Sequence, residues 1–193
     1  LFSGFTITGD FTNRGLNVHS DHNVMIEHIK VLGVGGISIS GAVATMHDAV
    51  IKHNVNVGYG GGMSIISSIV ELMNVILDSN TVVNYPGGGV HIYSNSNVTM
   101  DSVQITNNYA DGGEGGGMNL DDNSTVNISN SSIVGNYSSG IGGGIKEWNS
   151  TLPLTNVKVD SNTATDHGGG FFSYGQYIAT ASTFKSNTSS NHG

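Results

Sequence analysis

Four side chains of this chain have the types and spacing of a sugar-binding surface. Tyr93, Asp121, Trp148 and Tyr174 occupy the same position in four successive copies of a sequence repeat. Aromatic rings pack on the apolar faces of sugar rings, and a carboxylate accepts hydrogen bonds from sugar hydroxyls. Stacked repeats place these side chains in a line, which predicts a carbohydrate-binding face. Aromatic side chains also stabilise neighbouring strands by direct contact, so a purely structural interpretation stays open.

Three side chains on the same stretch of the repeat are capable of proton transfer, namely Lys146, Asp121 and His91. Hydrolysis of a glycosidic bond needs two carboxyl groups placed on either side of that bond. Asp121 and Asp122 are adjacent near the end of a predicted strand, so their side chains should point apart. Because no motif assigns a role to Lys146 or His91, the sequence favours a protein without catalytic activity. An enzyme is the alternative.

The acidic residues around the glycine-rich stretch 110–120 suggest a metal site. Asp111, Glu114 and Asp122 supply the oxygen ligands that calcium prefers. The repeat, however, is about three times longer than the nine residues of the glycine-rich calcium repeats. No Lys-Ser or Lys-Thr pair follows a glycine run, as a phosphate-binding loop requires. We therefore expect no cofactor, and calcium at a single site that uses Asp111, Glu114 or Asp122 is the one metal hypothesis.

The composition excludes several classes of partner. The 193 residues contain 14 Asp plus Glu but only six Lys plus Arg, which gives a formal net charge of −8. Nucleic acid is not expected as a partner, because phosphate binding needs clustered cations. No run of about 18 apolar residues occurs, so no membrane span is expected. The absence of Cys excludes disulfides and thiolate metal sites.

The candidate site residues belong to a repeat that is marked by glycine. Cutting the chain after each triple-glycine run gives five segments of 26 to 28 residues. The runs end at Gly62, Gly89, Gly117, Gly144 and Gly170. An Asn precedes each of these glycines by eight or nine residues, and the series continues beyond them. Its members are Asn54, Asn80, Asn108, Asn136, Asn162 and Asn187. We predict structural roles for both series.

Apolar and polar residues alternate with period two inside each segment, which predicts short strands and no helices. One strand follows the glycines, as in 90–93, and two more lie within 98–105 on either side of a small polar bend. Asn and Asp tolerate the left-handed backbone angles of such bends. We therefore predict an all-β parallel β-helix of about seven coils with three short strands each. A β-propeller or a β-sandwich does not account for the glycine period.

The whole chain, 1–193, is predicted to form a single β-helix segment of a longer protein. The coils are expected to start near residues 16, 37, 63, 90, 118, 145 and 171. Open coil ends present unpaired strand edges. Flanking repeats or subunits stacked end to end are therefore expected to cover these ends.

One residue conflicts with the apolar pattern. Glu147 falls at the position where Ile92 and Leu120 point inward, and Ser173 takes this position one coil later. An unpaired carboxylate is costly to bury. We therefore predict a local register slip at Glu147, with a buried contact between Glu147 and Ser173 as the alternative.

The repeat motifs resemble those of a known family. A glycine run followed by an apolar residue (GGGV 87–90, GGGF 168–171) alternates with an apolar-x-x-Asn motif (ITNN 105–108, FKSN 184–187). This combination resembles the repeats of the polymorphic outer-membrane proteins and, more generally, the right-handed parallel β-helix repeats of the pectin-lyase-like group. The resemblance covers residues 37–193 best. It implies right-handed coiling and an extracellular or cell-surface location.

The function favoured by these observations is a non-catalytic extracellular or cell-surface module, such as an adhesin, a stalk or a filament-forming segment. Its expected partners are glycans or a host surface, besides the repeats or subunits at its ends. The alternative is a module that binds or degrades a polysaccharide through the line of aromatic and acidic side chains.

Overall fold

The computed structural model describes residues 1–9, 15–19 and 23–191. In these residues the chain forms 29 short β-strands and no helix. Each strand pairs in parallel with its copies in the neighbouring coils. The predicted all-β parallel β-helix is confirmed. Among the described residues, no helix is long and apolar enough to cross a membrane.

The strands form four sheets that run along the solenoid. The first sheet follows the glycine runs and consists of β3 (Leu16–Val18), β6 (Ile37–Ser40), β10 (Met63–Ile66), β14 (Val90–Tyr93), β18 (Met118–Leu120), β22 (Ile145–Glu147) and β26 (Phe171–Ser173). The second sheet consists of β1 (Phe2–Ser3), β4 (Asn23–Glu27), β7 (Val43–His47), β11 (Ile69–Met73), β15 (Asn97–Asp101), β19 (Thr125–Ser129), β23 (Thr151–Thr155) and β27 (Gln176–Thr180).

The third sheet consists of β2 (Thr6–Thr8), β5 (Lys30–Leu32), β8 (Val50–Lys52), β12 (Ile76–Asp78), β16 (Gln104–Thr106), β20 (Ser132–Val134), β24 (Lys158–Asp160) and β28 (Thr183–Lys185). The fourth sheet consists of β9 (Val55–Asn56), β13 (Thr81–Val83), β17 (Tyr109–Asp111), β21 (Tyr137–Ser138), β25 (Thr163–Ala164) and β29 (Thr188–Ser189). The sequence predicts only the first three strands of each coil. The fourth has two or three residues, too few for an alternating pattern to show.

The core is built from columns of apolar side chains that stack from coil to coil. On the first sheet, Ile65, Ile92 and Leu120 are paired in register and fully buried. Continuous columns of this kind bury apolar surface that a single coil would leave exposed to water. In the last described coil, inward-facing residues such as Tyr177 and Phe184 remain exposed.

The predicted bends between the second and third sheets adopt left-handed backbone angles, with φ of 54° at Asn74 and 56° at Ser102. The Asn series plays a different part. Asn108 is buried, and the left-handed residue is its predecessor, Asn107, with φ of 54°. A left-handed bend thus turns the following Asn side chain into the solenoid, where it bonds to its neighbours.

The Asn side chains form a continuous ladder of hydrogen bonds from Asn54 to Asn187. Asn108 Nδ2 donates to Asn136 Oδ1 at 3.0 Å and to the Leu77 carbonyl at 2.9 Å. Asn108 Oδ1 accepts from the backbone N–H of Asn80 at 2.9 Å. The same pattern recurs in the neighbouring coils. The ladder satisfies amides that leave the strand pairing at this corner.

The glycines of a run serve two purposes, as one copy shows. Gly115 has φ of 65°, a left-handed angle that glycine adopts without steric cost. A Cβ on Gly116 would lie 2.4 Å from the Gly143 carbonyl oxygen, and one on Gly117 would lie 2.9 Å from Asn136 Nδ2. The later glycines therefore let successive coils and the Asn ladder approach each other closely.

Candidate functional site

The candidate site lies on the outer side of the first sheet, where consecutive coils are paired in register. His91 pairs with Asn119, and Asn119 pairs with Lys146. The sequence predicts these side chains to point outward, yet His91 is only 3% exposed and Lys146 only 6%. Residues of the loops before the glycine runs account for this difference, since Tyr59 packs on His91 and Glu114 pairs with Lys146. The column is therefore a buried polar layer.

The Asp121 carboxylate links the side chains of this layer by hydrogen bonds. Lys146 Nζ donates to Asp121 Oδ1 at 2.6 Å, and His91 Nε2 lies 3.2 Å from Asp121 Oδ2. Asn119 Nδ2 donates to the same Oδ2 atom. Lys146 Nζ also lies 3.3 Å from Glu114 Oε2. The three residues that the sequence suggests for proton transfer, Lys146, Asp121 and His91, are thus brought together, and we call them with Asn119 the Asp121 network.

The electrostatics of the Asp121 network favour a charged carboxylate beside a neutral imidazole. Burial disfavours ionisation of Asp121, but hydrogen bonds from His91 and Lys146 outweigh it and lower the pKa of the carboxyl group. Burial lowers the pKa of His91, and the contact with Asp121 offsets this only in part. Two buried atoms of the network, His91 Nδ1 and Asn119 Oδ1, have no hydrogen-bond partner in the described residues.

Two exposed aromatic side chains lie directly beside the network. Trp148 and Tyr174 follow Asp121 in the next two coils, and their rings are 4.6 Å apart at an interplanar angle of 59°. Trp148 is 48% exposed and Tyr174 is 66% exposed. Lys146 Nζ lies 5.6 Å from the Trp148 ring, and Phe172 packs against Tyr174 edge to face. We call Trp148 and Tyr174 the aromatic platform.

A shallow polar groove borders the platform on the side of the second sheet. It has a volume of about 370 Å³, and its lining includes Tyr174, Asn123, Asn149 and Gln176. Asn149 Nδ2 donates to Asn123 Oδ1 at 3.0 Å, so the two amides are already aligned across neighbouring coils. The groove therefore places hydrogen-bonding amides next to an exposed ring.

A second aromatic cluster lies on the other side of the Asp121 network. Tyr93 stacks on His91 with ring centroids 4.4 Å apart, and Tyr59 packs against both rings. Tyr59 also contacts Tyr85 edge to face at 5.0 Å. Tyr93, Asp121, Trp148 and Tyr174 therefore follow one line along the solenoid, with the acid in the middle. Tyr59 and Tyr85 were not identified from the sequence, although each lies one or two residues before a glycine run.

The comparison with known families agrees with this geometry. The family model described as "Right handed beta helix region" matches residues 14–192. The chain belongs to the right-handed β-helix family. No curated protein and no solved structure matches it. Because this family model is general, the resemblance to polymorphic outer-membrane protein repeats stays a prediction.

The acidic residues considered for calcium do not form a shared site in this β-helix. Asp111 accepts a hydrogen bond from the Tyr109 hydroxyl at 2.9 Å, whereas Glu114 pairs with Lys146. Asp122 is exposed at a left-handed bend. Within the described residues, no group of three or more His, Asp or Glu side chains is arranged to hold a metal ion.

The predicted register slip at Glu147 is wrong. Glu147 stays in register between Leu120 and Ser173 and is fully buried, although the preceding members of its column are aliphatic. Its carboxylate accepts hydrogen bonds from the Ser173 hydroxyl at 2.5 Å and from the Gly175 and Ser150 N–H groups at 2.6 Å each. Three donors replace the water that the carboxylate loses, so the β-helix keeps its register. The alternative of a buried Glu–Ser contact describes the structure.

Proposed function

We propose that this chain is a non-catalytic β-helix module of an extracellular or cell-surface protein, such as an adhesin, and that it binds a polysaccharide along the outer side of its first sheet. The observation that carries this proposal is the aromatic platform. Trp148 and Tyr174 remain about half or more exposed although they lie side by side on a rigid sheet.

The surroundings of the platform suit a sugar. Ligand sites combine aromatic surface with a few fixed polar groups. Here the Asp121 carboxylate is held by Lys146 and His91, and the amides of Asn123 and Asn149 line the adjoining groove. Parallel strands fix the spacing of these groups, so binding costs little conformational entropy. Because the repeat continues along the axis, the surface suits a polymer better than a single sugar.

Binding is better supported than cleavage. Glu114 and Asp121 are two carboxylates at the site that both contact the amine of Lys146. A glycosidase keeps the space between its two carboxyl groups for the scissile bond or a water molecule. Lys146 fills this space with a buried amine that is engaged on both sides. The Asp121 network is therefore proposed to shape the surface and to present hydrogen-bond acceptors.

The ends of the coil stack are proposed to pack against flanking repeats or a second copy of the chain. Exposed inward-facing residues such as Tyr177 and Phe184 offer an apolar surface for flanking repeats or a second copy. Sedimentation over a range of concentrations tests the second possibility. We expect a growing assembly, and a strictly monomeric species at high concentration would contradict stacking of subunits.

A polysaccharide array with three variants tests the proposed binding. We expect the chain to bind a defined subset of polymers and Trp148→Ala or Tyr174→Ala to reduce the affinity at least about tenfold, as loss of an aromatic anchor does. Tyr137→Ala is the matched control, because Tyr137 is a 37% exposed ring on the fourth sheet. Binding to no polysaccharide, or equal losses in all three variants, would overturn the proposal.

A further inference from the structure

We infer that the polysaccharide bound at the aromatic platform is neutral and that the same surface excludes uronate and sulfated polymers. This inference rests on the proposed function and specifies its ligand class. It follows from where the described part of the chain places its lysines.

Most lysines of the described residues lie on a different sheet from the aromatic platform, where they cannot contact an anionic ligand bound to it. Four of the five described lysines are in strands of the third sheet. They are Lys30, Lys52, Lys158 and Lys185. Lys146 is the one described lysine on the first sheet, and it is 6% exposed with its amine already engaged by Asp121 and Glu114. It therefore offers no free charge to a sugar carboxylate or sulfate.

The histidines near the platform do not replace the missing lysines. His91 is buried, and Tyr59 and Tyr93 cover its ring. His167 lies beside Phe172, and its Nδ1 atom is 2.6 Å from Asp166 Oδ1. Each imidazole is thus paired with a carboxylate of the chain itself.

The exposed charges at the platform are negative. The Glu114 side chain is 45% exposed, and Asp121 remains 20% exposed. Asp122 follows Asp121 directly and stands at an exposed bend. Like charges a few ångströms apart repel each other, and the repulsion is stronger near a protein surface than in bulk water. Lys146 compensates only one of these three negative charges, so an anionic polymer meets a surface of net negative charge. A neutral polymer needs only the rings and hydrogen-bonding groups that are present.

Pairs of polymers that share a backbone but differ in charge separate the effect of charge on binding from the effect of sugar identity. Hydroxyethyl cellulose and carboxymethyl cellulose share one backbone, and highly methyl-esterified pectin and polygalacturonate share another. We expect the neutral member of a bound pair to bind at least about tenfold tighter at low ionic strength. The difference should narrow near 1 M salt, where charges are screened beyond about 3 Å. Measurements at pH about 8 keep ordinary histidines neutral.

A pair of charge variants supplies the matched control within the protein. Asp122→Asn removes a charge beside the platform, whereas Asp48→Asn removes one at the bend between the second and third sheets. Both residues are exposed and left-handed, with φ of 58° and 52°, and Asn accepts this conformation. We expect Asp122→Asn to raise the affinity for the anionic polymer about two- to fivefold at low salt and Asp48→Asn to leave it unchanged.

The outcomes distinguish this inference from the proposed function. Tighter or equal binding of the anionic member, with loss of binding in Trp148→Ala, overturns the inference but leaves the binding function intact. Equal effects of the two Asp variants also contradict it. Binding of none of these polymers, together with an empty polysaccharide array, overturns the proposed function and the inference with it.

Discussion

Gly175 lies directly against the buried carboxylate of Glu147. Its N–H donates to Glu147 Oε2 at 2.6 Å, and a Cβ at Gly175 would stand 1.9 Å from Oε1. The glycine is therefore required for space, because its N–H can reach the carboxylate only without a side chain. The carboxylate in turn is tolerated next to the aliphatic Leu120 because this donor, together with Ser150 and Ser173, satisfies it.

The Gly175→Ala variant should lower the free energy of unfolding by about 1–3 kcal/mol, the usual cost of overpacking. Urea unfolding curves that are monitored by circular dichroism measure this change. The double variant Glu147→Ala, Gly175→Ala provides the control. Once the carboxylate is absent, adding the Gly175 change should cost little more than Glu147→Ala alone. Equal costs of Gly175→Ala in both backgrounds would contradict the steric explanation.

The Glu147→Gln variant tests the hydrogen bonds and leaves the volume unchanged. An amide has one acceptor oxygen, so its NH₂ group must face either the Ser150 N–H or the donors Ser173 and Gly175. A buried donor that has no acceptor, or that faces another donor, costs about 1–3 kcal/mol. The free energy of unfolding measured in urea should fall by this amount. Glu71→Gln, on the exposed side of β11, should have almost no effect. A neutral result at Glu147 would mean that the carboxylate is not needed there.

Stability should fall in mildly acidic solution because of His91. Burial lowers the pKa of His91 in the folded chain below its ordinary value of 6.5. The unfolded chain therefore binds a proton first as the pH falls below about 6.5, and this favours unfolding. Asp121 acts in the same direction but in a lower pH window: its pKa is lowered, so its contribution to stability is lost only as the pH falls below 3.8.

Unfolding free energies measured between pH about 8 and 5 check this dependence. His91→Gln should flatten the profile in this interval, because the histidine whose pKa is lowered by burial is then absent. A profile that is identical in the wild type and in His91→Gln would contradict the assignment to His91.

The fold could be predicted because each coil repeats the same local requirements. A run such as Gly115 to Gly117 combines a left-handed angle with close contact between coils, and a buried Asn108 completes the corner. Few other folds impose both requirements at a spacing of 26 to 28 residues. The alternation of apolar residues then places the sheets.

The candidate site was only partly predictable. Strand register places His91, Asn119 and Lys146 in one column, but alternation alone cannot show that loop residues such as Tyr59 and Glu114 cover them. Loop conformation depends on tertiary contacts that no short pattern records. For the same reason, the sequence does not show the three donors around the buried carboxylate of Glu147. It therefore predicts a register slip at a position where the coil is regular.

The Asn ladder should be the most sensitive part of the corner to substitution. Asn108→Leu keeps a side chain of similar size but removes an acceptor used by Asn80 and donors used by Asn136 and the Leu77 carbonyl. These partners are buried, so we expect a loss of about 3 kcal/mol or more in the free energy of unfolding. Asn127→Leu, on the exposed face of β19, is the matched control and should change stability by less than about 0.5 kcal/mol. Hydrogen exchange resolves the position of the effect: the backbone amide of Asn80 should lose protection first, because its acceptor, Asn108 Oδ1, is absent in the variant. If both variants unfold at the same urea concentration, the ladder does not stabilise the solenoid.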